Sequence, residues 1–144
     1  MIGVLVITHG EMASGLKNSV EMIMGENDHF DTLGLYPEAE IIEFKEEIRT
    51  KIIALNKNNG VLIIVDLFGA SPYNLTAANI GEMQVEEIPM RMITGANLPM
   101  AIEALNSREY ISDIDELYKV CMKSAKEGVR EFFDEMNDIS EKDE

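Results

Sequence analysis

The chain has two histidines, and His9 stands where a histidine can do chemistry. It closes the apolar run Ile2-Gly3-Val4-Leu5-Val6-Ile7, and Gly10 behind it permits a sharp turn. A second apolar run, Val61 to Val65, ends in Asp66. If the two runs are neighbouring parallel strands, His9 and Asp66 finish on the same sheet edge. A carboxylate beside an imidazole fixes its tautomer and stabilises its cation, so the pair is a candidate reactive centre. His29, in the polar stretch Asn27-Asp28-His29-Phe30, reads as an exposed bystander.

Asp66 is followed by Leu67-Phe68-Gly69-Ala70-Ser71-Pro72 and then by a helical pattern. Backbone N–H groups at a helix start gather about half a positive charge and bind anions. A phosphoryl group on His9 could be received there. Ser71 also reads as a hydroxyl N-cap, with Pro72 at the first helical position. The candidate catalytic residues are His9 and Asp66. Thr8, Gly10, Gly69, Ala70 and Ser71 are candidate phosphoryl contacts.

Other chemistries fit poorly. Two histidines and one cysteine, far apart in sequence, do not make a zinc site, so neither metal nor cofactor is expected. No Gly-x-Ser-x-Gly elbow marks a serine hydrolase. A phosphorylatable receiver domain needs an acid pair after its first strand, and Thr8-His9-Gly10 stands there instead. A histidine phosphatase needs an arginine where Thr8 stands, and a second histidine late in the chain.

These residues need elements to hold them. Ala13, Leu16, Val20, Ile23 and Met24 fall at helical spacing, with Gly25 as a C-cap. A weaker strand runs from Asp31 to Tyr36 and stops at Pro37. Ile41, Phe44, Ile48, Ile52 and Leu55 form the next helical stripe. After Ser71, Leu75 and Ala78 mark the inner face of a third helix. A fourth strand, Met90 to Thr94, leads into Gly95-Ala96-Asn97-Leu98-Pro99 and a helix to about Leu105. A last long helix is expected from about Asp113 to Phe133, with Val129 and Phe132 on its buried stripe. The alternation predicts an α/β three-layer sandwich with a mostly parallel sheet between helices. Right-handed crossovers give strand order 2-1-3-4, with His9 and Asp66 at the switch point, where open α/β sheets bind ligands.

The length of 144 residues suits one domain, read as residues 1–136, with an acidic flexible tail at 137–144. The formal charge of −15 opposes nucleic acid and anionic membranes as partners. No run approaches the roughly 18 apolar residues of a membrane span, and no basic leader precedes the first apolar run. With a single cysteine, Cys121, the reading is a cytoplasmic protein. Met12, three residues after His9, is the methionine expected to face a docking partner.

Three motifs in order then show a likeness. Gly3-Val4-Leu5-Val6-Ile7-Thr8-His9-Gly10, the stretch Gly60 to Asn74, and Thr94-Gly95-Ala96-Asn97-Leu98-Pro99-Met100 resemble the IIA component of the mannose-type (mannose/fructose/sorbose) sugar phosphotransferase system. The resemblance implies a phosphoryl carrier. His9 would take phosphate from the phosphocarrier protein HPr and pass it to a IIB component serving the membrane IIC and IID subunits. It also implies a homodimer with an exchanged antiparallel edge strand. The same fold serves as a phosphorylatable module in regulators and in dihydroxyacetone kinase partners, which is the alternative reading. The family turn usually reads Gly-Gly-Ser-Pro, so Ala70 would be strained if its position needed a positive φ.

Overall fold

The computed structural model describes residues 1–143, with side chains through residue 140. Its elements are β1 (Gly3–His9), α1 (Met12–Met24), β2 (Phe30–Leu35), α2 (Ile41–Leu55), β3 (Val61–Val65), α3 (Ser71–Glu82), a 3-10 turn (Met83–Glu86), β4 (Met90–Ile93), α4 (Leu98–Ser107), α5 (Ile114–Glu127) and α6 (Phe132–Asp143). The strands form one parallel sheet in the order β2-β1-β3-β4, as expected.

The continuous apolar runs of β1 and β3 follow from burial on both faces. Successive side chains of a strand point to opposite sides. Val4, Val6, Leu62 and Ile64 pack into one core with α1, α4 and α5. Leu5, Ile7, Ile63 and Val65 pack into the other with α2 and the region of α3. β3 is fully buried and β1 is buried up to His9, so the strands leading to the reactive edge are held from two sides. In the register, Ile7 stands beside Val65 and His9 beside Leu35. Asp66 therefore comes level with Thr8, one step short of His9.

Several expectations shift. The long last helix is two helices. Gly128 passes so close to Pro99 that an added Cβ would lie 2.7 Å from its Cγ, and Gly is a poor helix former. Beyond this break Val129 and Phe132 are exposed rather than buried. Residues 137–143 lie in α6, where Phe132, Met136 and Ile139 recur at helical spacing. The last residue of the expected tail, Glu144, lies outside the described residues. Ile23, Ile41 and Ala78 are also exposed. Ile23 and Ile41 sit at helix ends, where the stripe runs past the sheet. In α3 the inner face is instead Pro72, Thr76 and Asn79, with Leu75 half-buried.

The end of the sheet opposite His9 is tied by one buried guanidinium. Arg108, only 4% exposed, donates to the carbonyls of Ile2, His29 and Asp28. Burial pulls its pKa down from the ordinary arginine value. His29 has its polar role there through its backbone, far from the reactive edge.

Candidate functional site

β1 delivers His9 to the open edge, and Gly10 turns the chain away with φ +52. The Gly10 amide donates to the Leu35 carbonyl at 2.7 Å, fixing the turn against β2. Gly10 is thus held as a turn residue, and its amide is not available to a phosphoryl group. Thr8 also moves from its expected role. Its side chain is fully buried on the α1 side of the sheet. The hydroxyl accepts the Ala13 amide at 2.8 Å and donates to the His9 carbonyl at 3.1 Å. Thr8 therefore caps the start of α1 and steadies His9 from behind, as its place in the pleat dictates.

Asp66 and His9 meet. One oxygen of Asp66, Oδ2, accepts the His9 backbone amide at 2.9 Å and lies 2.7 Å from Nδ1. The other, Oδ1, accepts the Leu67 amide at 2.9 Å. Burial pushes the Asp66 carboxyl upward, but the amide and ring of His9 and the Leu67 amide outweigh it and hold the pKa below the ordinary carboxylate value. An ionised carboxylate at this distance keeps a proton on Nδ1 and leaves the lone pair on Nε2. The side chain of His9 is 51% exposed and that of Asp66 only 13%, so the ring opens outward over a sheltered anchor.

The strand end bearing Asp66 is held in turn by the third motif. Gly95 donates to the Asp66 carbonyl at 3.2 Å, and Ala96 to that of Val65 at 3.1 Å. Asn97 caps α4 through the Met100 amide and donates to the Ala125 carbonyl of α5. The motif was legible as turn chemistry, but its support of Asp66 needs the pairing of β3 with β4.

The turn before α3 differs from its expected form. Ala70, not Ser71, is the N-cap, and no side chain caps the helix there. Gly69 takes the positive φ of 79, whereas Ala70 sits at −85, which any residue adopts. The alanine is therefore unstrained. Asn74 pins the turn by donating from its side chain to the Gly69 carbonyl at 2.9 Å. Among the described residues the amides of Gly69 and Ser71 have no protein acceptor. They are available to an anion, and the Ser71 side chain is exposed.

Beside His9 lies a cavity of about 450 Å³ lined by Gly10, Leu35, Tyr36, Pro37, Ala39 and Ile41. Nothing in the sequence pattern announced it. It forms because β2 ends at Leu35 while α2 starts only at Ile41. Among the described residues no cluster of three or more His, Cys, Asp or Glu could hold a metal ion, and no helix is long and apolar enough to cross a membrane.

A model of the family described as the PTS system fructose IIA component matches residues 3–122. The fructose-specific EIIA component of Bacillus subtilis is 33% identical over 112 residues, covering 78% of this chain and 74% of the relative. The mannose-specific EIIAB component of Escherichia coli K12 is 29% identical over 129 residues, covering 90% of this chain. This chain spans only 39% of the length of that relative. Among solved structures, the EIIA component from Streptococcus agalactiae superposes with a TM-score of 0.81 at 25% identity, covering 92% of this chain and 98% of that one.

Proposed function

This chain belongs to the IIA components of the mannose-class phosphotransferase system, a transferase family of sugar transport, and from that premise we propose that His9 is its phosphoryl acceptor. In this reading phospho-HPr donates to Nε2 of His9, and the group passes on to a IIB component. The observation that carries it is the 2.7 Å approach of Asp66 Oδ2 to Nδ1, with Nε2 left open to the outside.

The step balances without a proton changing hands. The Nε2 lone pair forms a bond to phosphorus as the bond from phosphorus to the donor's ring nitrogen breaks. The donor imidazole leaves with that electron pair. Phosphorylated His9 keeps its proton on Nδ1, where the Asp66 carboxylate offsets the charge gained by the ring. A loose phosphoryl transition state needs positioning and charge stabilisation more than covalent help. The amides of Gly69 and Ser71, with the Ser71 hydroxyl, supply donors for the phosphoryl oxygens.

The assembly is part of the same reading. A cytoplasmic homodimer, serving membrane IIC and IID subunits, would cover the free edge of β4 and the exposed Val129, Phe132 and Phe133. An exchanged edge strand would do both at once.

The test is phosphorylation. The protein is incubated with phosphoenolpyruvate, enzyme I and HPr, each omitted in turn, and intact mass and acid lability are read. One acid-labile phosphoryl group that requires HPr and is lost in His9→Ala is the expected result. Equal labelling of His9→Ala would move the acceptor elsewhere and end the proposal.

A further inference from the structure

Thr8 and Gly34 are register partners in β1 and β2, so they face the same side of the sheet. Thr8 shows which side that is: its buried hydroxyl accepts the Ala13 amide at the start of α1. Gly34 therefore turns a bare backbone toward α1, and the chain that leaves His9 lies down on it. A Cβ on Gly34 would stand within 3.0 Å of the Gly10 carbonyl oxygen and 3.4 Å from its carbon. The tip of Tyr36, 3.2 Å from the same point, can move aside, but the Gly10 backbone cannot do so alone. The φ of Gly34 is not positive, so the residue is not there for its conformation. A glycine inside a strand weakens it, and its use here is the close approach of a second backbone.

That backbone belongs to the neighbour of the reactive histidine. Gly10 is held by β2 at two points: its amide donates to the Leu35 carbonyl at 2.7 Å, and its carbonyl rests on Gly34. Two residues later α1 begins, with its start tied to Thr8. The Gly10–Glu11 peptide is therefore pinned between a strand and a helix. Pushing its carbonyl off β2 rotates the chain about the Gly10 α-carbon and carries the displacement back into His9. The His9 ring reaches Asp66 Oδ2 across 2.7 Å, and its amide meets the same oxygen at 2.9 Å. Hydrogen bonds of this kind weaken steeply with misalignment, so a small rotation of the His9 main chain is felt at Nδ1.

We propose that Gly34 is a positioning residue for His9. By lacking a side chain it lets the Gly10 peptide lie flat against β2, and this sets the angle at which the end of β1 presents the His9 ring to Asp66. The end of β3 holds the histidine from one side through Asp66, and β2 holds it from the other through Gly34 and Leu35. The consequence for phosphoryl transfer rests on the carrier reading; the consequence for the ring does not.

The experiment compares Gly34→Ala with Gly3→Ala. Gly3 lies at the opposite end of β1, where an added Cβ would likewise come within 3.0 Å of a backbone oxygen, that of Leu55. Both variants are expected to lose Tm. Only Gly34→Ala should alter the ring. With the ring neutral, nitrogen NMR spectra of wild type and Gly3→Ala should show His9 protonated on Nδ1, and those of Gly34→Ala a marked share of the Nε2-protonated tautomer. Labelling by saturating phospho-HPr should slow about tenfold or more in Gly34→Ala, with KM little changed, and hold in Gly3→Ala. If Gly34→Ala is only partly folded, trimethylamine N-oxide restores the compact state and the spectra are read there. A wild-type ring spectrum in Gly34→Ala overturns the proposal, and so does an equal change in Gly3→Ala. If wild-type protein takes no phosphoryl group from phospho-HPr, the carrier reading fails, and the ring spectra still decide the role of Gly34.

Discussion

A single oxygen of Asp66 holds His9 twice, accepting the backbone amide at 2.9 Å and facing Nδ1 at 2.7 Å. The ring is thereby fixed relative to its own main chain. Neither contact alone sets both the position of the residue and the tautomer of its ring.

Asp66→Asn tests that double hold. An amide oxygen can still accept from the His9 backbone or from Nδ1, but it brings no charge to offset a phosphorylated ring. Transfer from phospho-HPr is expected to slow about 10–100-fold, the usual cost of losing a group that orients a reactive histidine. The circular dichroism spectrum should remain that of wild type. Wild-type rates would remove Asp66 from the mechanism.

The same carboxyl gives stability a pH dependence of known sign. Its pKa is lower in the folded protein than the ordinary 3.8. The stabilisation is therefore complete above that value and is lost as pH falls through the folded value. Urea unfolding of wild type and Asp66→Asn should differ most near neutral pH and converge below 3.8. A gap that widens with acid would reverse the sign.

Gly69 and Ala70 should respond oppositely to exchange. Gly69→Ala places a Cβ at φ +79 and is expected to cost about 1 kcal/mol and to disturb the anion-facing amides. Ala70→Gly leaves transfer unchanged, because φ −85 needs no glycine, and loses about 0.5 kcal/mol through greater freedom of the unfolded chain. Calorimetry with transfer rates on both variants separates the two positions. Faster transfer in Ala70→Gly would mean that the alanine does impose a burden.

Thr8→Val keeps the shape of the side chain and deletes its hydroxyl. The Ala13 amide loses its acceptor at the start of α1. The expected cost is about 1–2 kcal/mol, read as a drop of roughly 3–6 °C in Tm. Unchanged Tm with a large loss of transfer would restore Thr8 to the phosphoryl site.

Cys121 is fully buried, and burial pushes its thiol up to about 12. The thiolate is the reactive form, so native protein should resist a disulfide reagent at neutral pH and react fully in urea. Rapid native labelling would show that α5 opens readily.

The sheet order and the His9–Asp66 meeting were legible because two unbroken apolar runs, each ending in a polar residue and a glycine turn, leave few ways to arrange themselves. The structure departs from the sequence pattern for different physical reasons. Thr8 stands next to His9 among the candidate phosphoryl contacts, but the two-residue period of a strand sends its side chain to the opposite face, where it is buried. Ser71-Pro72 looked like cap and first turn, but the helix starts one residue earlier, with Ala70 in the cap position. The cavity beside His9 arises from the gap between β2 and α2, which no residue pattern records. The end of α5 was overrun because Val129 and Phe132 continue its period, and the check comes from a contact of Gly128 with Pro99, distant in sequence.

β1 lies at the centre of the sheet, paired on both sides and covered on both faces. Its amides can exchange with solvent only when much of the molecule opens. His9 is anchored to this doubly paired strand, whereas the wall of its cavity comes from the end of β2 and the loop that follows. A change in that loop would therefore reshape the cavity while leaving the spacing of His9 and Asp66 as β1 and β3 set it.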